Sequence, residues 1–355
     1  MTTSLEPRQL GDPVGEQRRL TAGDAVLAAP TLDVVRITGA DHQRFLDALL
    51  SRDLGRLAPD ESSEALLLDA AGHVQFAVGA VADADGVWLL PDHGEADRVV
   101  DWVHRMRFMM QVEAQAVTDA FVQIGWFAAD RPWQAELAQL SAFVWRDPWA
   151  EVASGGWQYA VHPTVDYAAW RWNVAFVPDS HADQARALLD AAAVTRSGAD
   201  AWQALRVAAG RPRTADEVDE RSIPHELDWL RSAVHLNKGC YPGQETVAKV
   251  HNLGHPPRRL VLLQLDGGDT WVEHGDAVLQ DGHEVGLVTT AGLHYEMGPI
   301  ALAVIKRAVP VDATLQVRHE NVAVAAVQEV IVPPEAGALA ADAVGEFRRA
   351  RRQGR

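Results

Sequence analysis

The chain has a single cysteine, Cys240, in 355 residues. A lone thiol excludes an internal disulfide framework and fits a reducing compartment. It also excludes a self-contained thiolate metal site, which needs several sulfurs or histidines at set spacing. Positive charge is in deficit: 32 Lys+Arg stand against 49 Asp+Glu, a formal net charge of −17. Nucleic acid and anionic membrane both demand a basic surface, so neither is expected as a direct partner. One short basic run, Arg348-Arg349-Ala350-Arg351-Arg352, closes the sequence and is expected to be a frayed tail. No apolar run reaches the roughly 18 residues of a membrane span. Met1 to Leu20 lacks an apolar core ahead of a small-residue cleavage site, so no secretory leader is expected and the expected location is cytoplasmic. Nucleotide-binding fingerprints are missing as well, with no G-x-G-x-x-G and no G-x-x-x-x-G-K-[ST].

What is present is an ordinary globular balance, 48% hydrophobic and 23% charged, long enough for about two or three domains. Residues 1–23 are expected to form a mobile arm. Residues 24–127 alternate strand and helix signals. Leu32–Ile37 is β-rich, Asp41 caps a helix with Phe45, Leu46, Leu49 and Leu50 on one stripe, and Glu95–Arg107 carries Val99, Trp102, Val103 and Met106 at helical spacing. The pattern predicts a first α+β domain ending with a strand at Phe121–Phe127. Residues 128–250 form a second α+β unit, with Trp170–Val177 as strand and Asp183–Ala193 and Asp200–Ala209 as helices. Trp133, Trp145, Trp149 and Trp157 lie in a weakly patterned stretch, and several are expected to pack between domains. The acidic Thr214–Ile223 is expected to be a loop. From 251 to 335, short strands separated by Gly and Asp turns predict a small β-barrel or sandwich, followed by the basic tail 336–355.

The densest cluster of unusual residues is Asn237-Lys238-Gly239-Cys240-Tyr241-Pro242-Gly243-Gln244-Glu245. Two glycines and a proline this close continue neither helix nor strand, so the segment is expected to be a shaped loop. Lys238, two residues before the thiol, makes Cys240 a candidate thiolate. The competing reading is a small buried hydrophobe between turn glycines. His251 and His255 are four apart, but Gly254 and Pro256 disfavour a shared helix and no third ligand is evident, so no metal site is expected.

Lys238 to Glu245 resembles the Lys-Gly-Cys-Tyr/Phe-x-Gly-Gln-Glu signature of the YgfZ-type folate-binding proteins, relatives of the glycine-cleavage T-protein (aminomethyltransferase). Gly39–Asp53, Arg206–Pro212, Pro224-His225-Glu226 and Gly254–Leu263 are similar to further segments of that superfamily. The aminomethyltransferases carry an aspartate in a Gly-x-x-Asp-Asp stretch; this chain has Gly72-His73-Val74-Gln75-Phe76. They also carry a pterin-holding glutamate in Arg-x-Glu-Ala-Gly, where this chain has Ala208. A positioned carboxylate is what could shuttle a proton at a folate nitrogen, so the resemblance points to the YgfZ branch.

The resemblance implies a three-domain cloverleaf of α+β class, two ferredoxin-like domains and a C-terminal β-barrel around a central channel. It implies tetrahydrofolate, or a derivative, in that channel. It further implies a role in assembling or repairing iron–sulfur proteins and enabling dependent tRNA modification, with iron–sulfur client or assembly proteins as partners. A folate-dependent one-carbon transferase or demethylase is the alternative. On this view Cys240 and Lys238 carry the chemistry. Gly239, Tyr241, Gly243, Gln244, Glu245 and Lys249 shape or contact the folate site. Lys249 either pairs with Glu245 along a helix or faces a folate carboxylate. Arg206 serves as a carboxylate clamp or an internal ion pair, and Glu226 meets a folate amide or caps backbone N–H groups.

Overall fold

The computed structural model describes residues 11–28, 31–160, 166–267 and 271–339. Two five-stranded sheets and one closed barrel organise them. The first sheet runs Ser62–Leu68, Val74–Ala82, Gly86–Pro91, Val35–Thr38, Glu113–Ala116, with every neighbour antiparallel. Helices His42–Leu49 and Ala96–Met106 cover one face. Their stripes Phe45/Leu46 and Val99/Trp102/Val103 share a core with Val35, Ile37 and Leu89, which is the burial that the 3.6-residue spacing anticipates.

The second sheet runs Thr195–Ser197, Ala25–Leu27, Phe121–Phe127, Trp172–Pro178, Phe143–Arg146. Ala25–Leu27 is parallel to Thr195–Ser197, and the remaining pairs are antiparallel. Phe121–Phe127 therefore belongs to this sheet, not to the first unit where local pattern put it. Helices Pro132–Leu140 and Ala182–Ala191 cover the far face through Trp133, Leu137 and Ala185. On the near face the two sheets meet directly. The Trp145 indole N–H donates to the Ser63 carbonyl at 3.0 Å. A Cβ at Gly79 would lie 2.8 Å from the Trp145 ring, so glycine there permits the approach. Trp133, Trp145 and Trp149 are buried, whereas Trp157 is 41% exposed.

The barrel closes in the order Arg258–Leu265, Gly298–Lys306, His283–His294, Ala277–Gln280, Leu315–His319, Val322–Val330. Its interior holds Val261, Leu263, Val288, Ile305 and Val317, the alternating set of an antiparallel barrel. Closure removes the open edges that would otherwise pair with other chains.

Two further expectations change. Residues 13–21 are not a mobile arm but the helix Pro13–Thr21, started by the Asp12 carboxylate accepting from the Gly15 N–H. It is fastened by two adjacent buried residues: Glu16 accepts from the Gly198 N–H at 2.7 Å, and Gln17 donates to the Leu293 carbonyl of the barrel at 2.8 Å. Thr214–Glu217 is a helical turn, not a loop, and its Glu217 is buried. The first ten residues of the expected arm and the run Arg348–Arg352 lie outside the described residues. No helix among the described residues is long and apolar enough to cross a membrane.

Candidate functional site

The Lys-Gly-Cys segment bridges all the α+β parts of the molecule. Trp229 to Val234 are buried, and the His235 N–H donates to the Ser51 carbonyl at 2.9 Å. Lys238 follows, its side chain only 2% exposed. Its ammonium donates to the carbonyls of Asp47, Leu50 and Arg52 at 2.6, 2.7 and 2.9 Å, with the Asp47 carboxylate at 3.1 Å. An ammonium has three protons, and here three carbonyls at the C-terminal end of His42–Leu49 take them. Burial lowers the Lys238 pKa while Asp47 pulls it back. Lys238 thus anchors the loop, and no proton is left over to donate to the thiol.

Beyond that anchor, Gly239 has open space around it and Cys240 is exposed. Tyr241 turns back inward, its hydroxyl pushed up to about 12 by burial. Gly243 has φ +78, and a Cβ there would sit 2.7 Å from the Asp69 carbonyl and 2.8 Å from Gly72 Cα. The backbone of the cysteine loop is in this way pressed onto the turn Asp69–His73. Gln244 closes the loop by donating to the Lys238 carbonyl at 3.2 Å and opens the helix Gln244–Leu253. Glu245 and Lys249 stand exposed on that helix, and no ion pair joins them among the described residues.

The turn beneath the loop contains a carboxylate, Asp69, already committed. It accepts from the N–H groups of Ala71 and His73 and from the His73 ring. Partial burial opposes ionisation there, but those bonds outweigh it and hold Asp69 below the usual range. Gln75 is the second residue of the next strand, Val74–Ala82, and brings no carboxylate.

Arg206 and Glu226 have internal partners. Arg206, fully buried, donates to Glu217 and Asp216, both at 2.8 Å, and to the Thr290 hydroxyl and Arg211 carbonyl. It is an internal ion pair, not a clamp open to a ligand. Glu226 accepts from Arg258 at 3.0 and 2.8 Å and reaches the Ile223 N–H. It caps its own turn, as one of the two readings held, and ties it to the first barrel strand.

Between the sheets lies a cavity of about 50 Å³ lined by Glu64, Trp145, Asp147, Arg211 and Trp229, among others. Arg211 spans it, 2.7 Å from Glu64 and 2.9 Å from Asp147. Glu64 also accepts from the Trp229 indole and the Ser232 hydroxyl, and burial raises its pKa against the pull of Arg211. Sequence reasoning missed Glu64 and Asp147, whose neighbours carry no motif; Arg211 lies inside the Arg206–Pro212 segment and was within reach. A larger pocket, about 520 Å³, opens beside Ala208 between the second sheet and the barrel, with Phe127, Trp170, Tyr295, Met297 and Glu329 in its wall.

Residues 258–333 match the glycine cleavage T-protein C-terminal barrel domain. A chloroplastic Arabidopsis thaliana protein described as a transferase is 34% identical over 115 residues, which is 31% of this chain and only 25% of that relative. The tRNA-modifying protein YgfZ of Vibrio vulnificus is 24% identical over 283 residues, covering 74% of this chain and 83% of that protein. The crystal structure of the glycine cleavage system aminomethyltransferase T from Bartonella henselae shares the fold, with a TM-score of 0.70 at 17% identity over 92% of this chain and 90% of that one. Over most of its length the chain is similar to YgfZ-type relatives of the T-protein. The α+β class and C-terminal barrel expected from the sequence are those of this fold.

Proposed function

We propose that this YgfZ-type protein binds a tetrahydrofolate-type cofactor and acts through Cys240 as an accessory protein for iron–sulfur cluster assembly or repair, on which tRNA-modifying enzymes in turn depend. One observation carries the reading. Cys240 is exposed on a lip whose backbone is fixed from both sides, by the Lys238 ammonium and by the Gly243–Gly72 contact. An exposed thiol on a fixed loop is placed to meet another protein. A single thiolate cannot hold a cluster, so the remaining ligands come from a client or assembly protein, with Cys240 as a transient ligand during transfer. The acidic surface and single cysteine fit a cytoplasmic setting with protein partners.

Size excludes the cavity between the sheets as the place of a folate ring, and aromatic lining favours the pocket beside Ala208. The roughly 50 Å³ between the sheets has room for water but not for a bicyclic ring. The pocket beside Ala208, at about 520 Å³, lies in the range of small-molecule sites. Phe127, Trp170 and Tyr295 would hold a flat ring there. The bound cofactor would supply a one-carbon acceptor. The chain itself offers no carboxylate at Gln75 to move a proton to it, which favours the accessory role over a one-carbon transferase.

The test has two arms. Tetrahydrofolate should bind the purified protein at equilibrium, and no formaldehyde adduct should form when methylated amine donors are added. In cells, Cys240→Ala should lower the activity of iron–sulfur enzymes while the purified variant melts like wild type. Wild-type iron–sulfur activity in Cys240→Ala cells would remove the thiol from the proposal.

A further inference from the structure

The pocket beside Ala208 has an unusual back wall. Gln264, on the first barrel strand, donates through Nε2 to Glu329 Oε1 at 3.0 Å across the seam where the last strand closes the barrel. The other carboxylate oxygen, Glu329 Oε2, is buried and finds no hydrogen-bond partner. Buried acceptors without a donor are rare in native proteins, because each has given up water for nothing. Glu329 lines the pocket, so the missing donor has a place to come from.

The rest of the lining narrows what that donor belongs to. Among the described residues no lysine or arginine lines the pocket, while Asp166, Glu296 and Glu329 do. A ligand that enters must therefore contribute N–H groups and cannot lead with an anion. Phe127 and Trp170 meet edge to face at 5.2 Å, and with Tyr295 they give the pocket aromatic walls suited to a flat ring. His294 offers the complement. Its Nδ1 accepts from the N–H groups of Glu296 and Met297, which leaves the proton on Nε2 as a donor. Burial disfavours the charged form of this imidazole and lowers its pKa, against the opposing pull of Glu296.

We infer that Glu329 is the carboxylate that recognises the amide–amidine edge of a planar nitrogen heterocycle, a ring N–H beside an exocyclic amino group. Ala208 leaves the helix side of the pocket without a carboxylate, and Glu329 provides one from the barrel side. A 2-amino-4-oxopyrimidine ring carries this edge in both pterins and guanine. This inference rests on the folate reading for the identity of the ligand, and on the pocket alone for the residue.

Isothermal titration of the full chain with tetrahydrofolate, and separately with guanosine, tests it. Two variants are used, Glu329→Gln, which keeps shape and removes charge, and Ala208→Phe, which fills the pocket from the opposite wall. Thermal melts establish that both fold. The expected result is tetrahydrofolate binding that weakens at least about tenfold in Glu329→Gln, equal to about 1.4 kcal/mol, and is lost in Ala208→Phe. Guanosine binding with the same dependence, and no tetrahydrofolate binding, would uphold the role of Glu329 and reject the folate reading. Tetrahydrofolate binding left unchanged by Glu329→Gln would overturn the inference while the folate reading stands. No binding of either ligand to wild type would overturn both.

Discussion

The Lys238 ammonium donates to the Leu50 carbonyl at 2.7 Å, across 188 residues of sequence. Together with the bonds to Asp47 and Arg52 it ties down carbonyls in and just beyond the last turn of the helix His42–Leu49. Lys238→Met should therefore act on stability, not on sulfur chemistry. It removes a buried donor from three carbonyls, of which that of Arg52 keeps the Leu54 N–H, and a loss of about 2–4 kcal/mol is expected. Alkylation of Cys240 by iodoacetamide in the folded variant should be no slower than in wild type. A several-fold slower reaction with an unchanged melting temperature would restore the thiol-activating role.

Asp228 and His225 make opposing contributions to pH stability. In the folded chain burial pushes the Asp228 carboxyl up to about 7, against 3.8 for the free group. Between those values the folded state holds the extra proton, so this contribution is lost as pH rises toward 7. Burial pushes His225 down to about 3, against 6.5. Between 3 and 6.5 the unfolded state holds the extra proton, so this contribution is lost as pH falls. Each slope is about 1.4 kcal/mol per pH unit at its steepest, and they oppose one another from about pH 4 to 6.5. Asp228→Asn suits the left-handed φ of +54 at this position and removes only the first slope. Urea midpoints of the variant should fall more steeply than wild type on acidification from pH 6.5 to 4. Parallel profiles would count against a protonated Asp228.

Arg211 is the sole cation within salt-bridge reach of both Glu64 and Asp147 among the described residues. Arg211→Met leaves two buried acids facing each other without a counter-charge. A loss of about 3–5 kcal/mol is expected in chemical denaturation. In Arg211→Met/Glu64→Gln/Asp147→Asn much of that loss should return, since the penalty lies in the orphaned charge; a triple variant no better than the single one would mean that Arg211 acts by packing on Trp149.

Gly243→Ala places a methyl against the Asp69 carbonyl at a φ that side chains avoid. The expected cost is about 2 kcal/mol or more, and backbone amides of residues 69–73 should exchange faster with solvent. Unchanged exchange in that turn would show that the two loops are not mechanically joined.

Much of this architecture is legible in local pattern. His42–Leu49 and Ala96–Met106 announce themselves by apolar residues at helical spacing, and the barrel strands by alternation between turn residues. Pro132–Leu140 is less visible because Trp133 and Leu137 are its only large buried apolar residues; Pro132 at the first helical position is the signal that could have marked it. The acidic run Thr214–Glu217 looks solvated, and only Arg206 on the preceding helix makes burial of Glu217 possible. The site divides the same way. The glycine-flanked loop around Cys240 is local, so sequence finds it. Lys238 binding carbonyls near residue 50, and Glu329 facing a pocket beside Ala208, depend on how distant segments come together, and no nearby residue records them.

The strand Ala25–Leu27 sits between Thr195–Ser197 and Phe121–Phe127, so the whole stretch from Val35 to Ala116 is nested within the path of the second sheet. On the ribosome the nested sheet can close as soon as residue 116 clears the exit tunnel. Ala25–Leu27, made earlier, must wait for residue 197 before its parallel edge is covered. Until then the nascent chain carries a finished module and an open strand side by side, and a truncation anywhere before residue 195 would leave that edge free to capture another polypeptide.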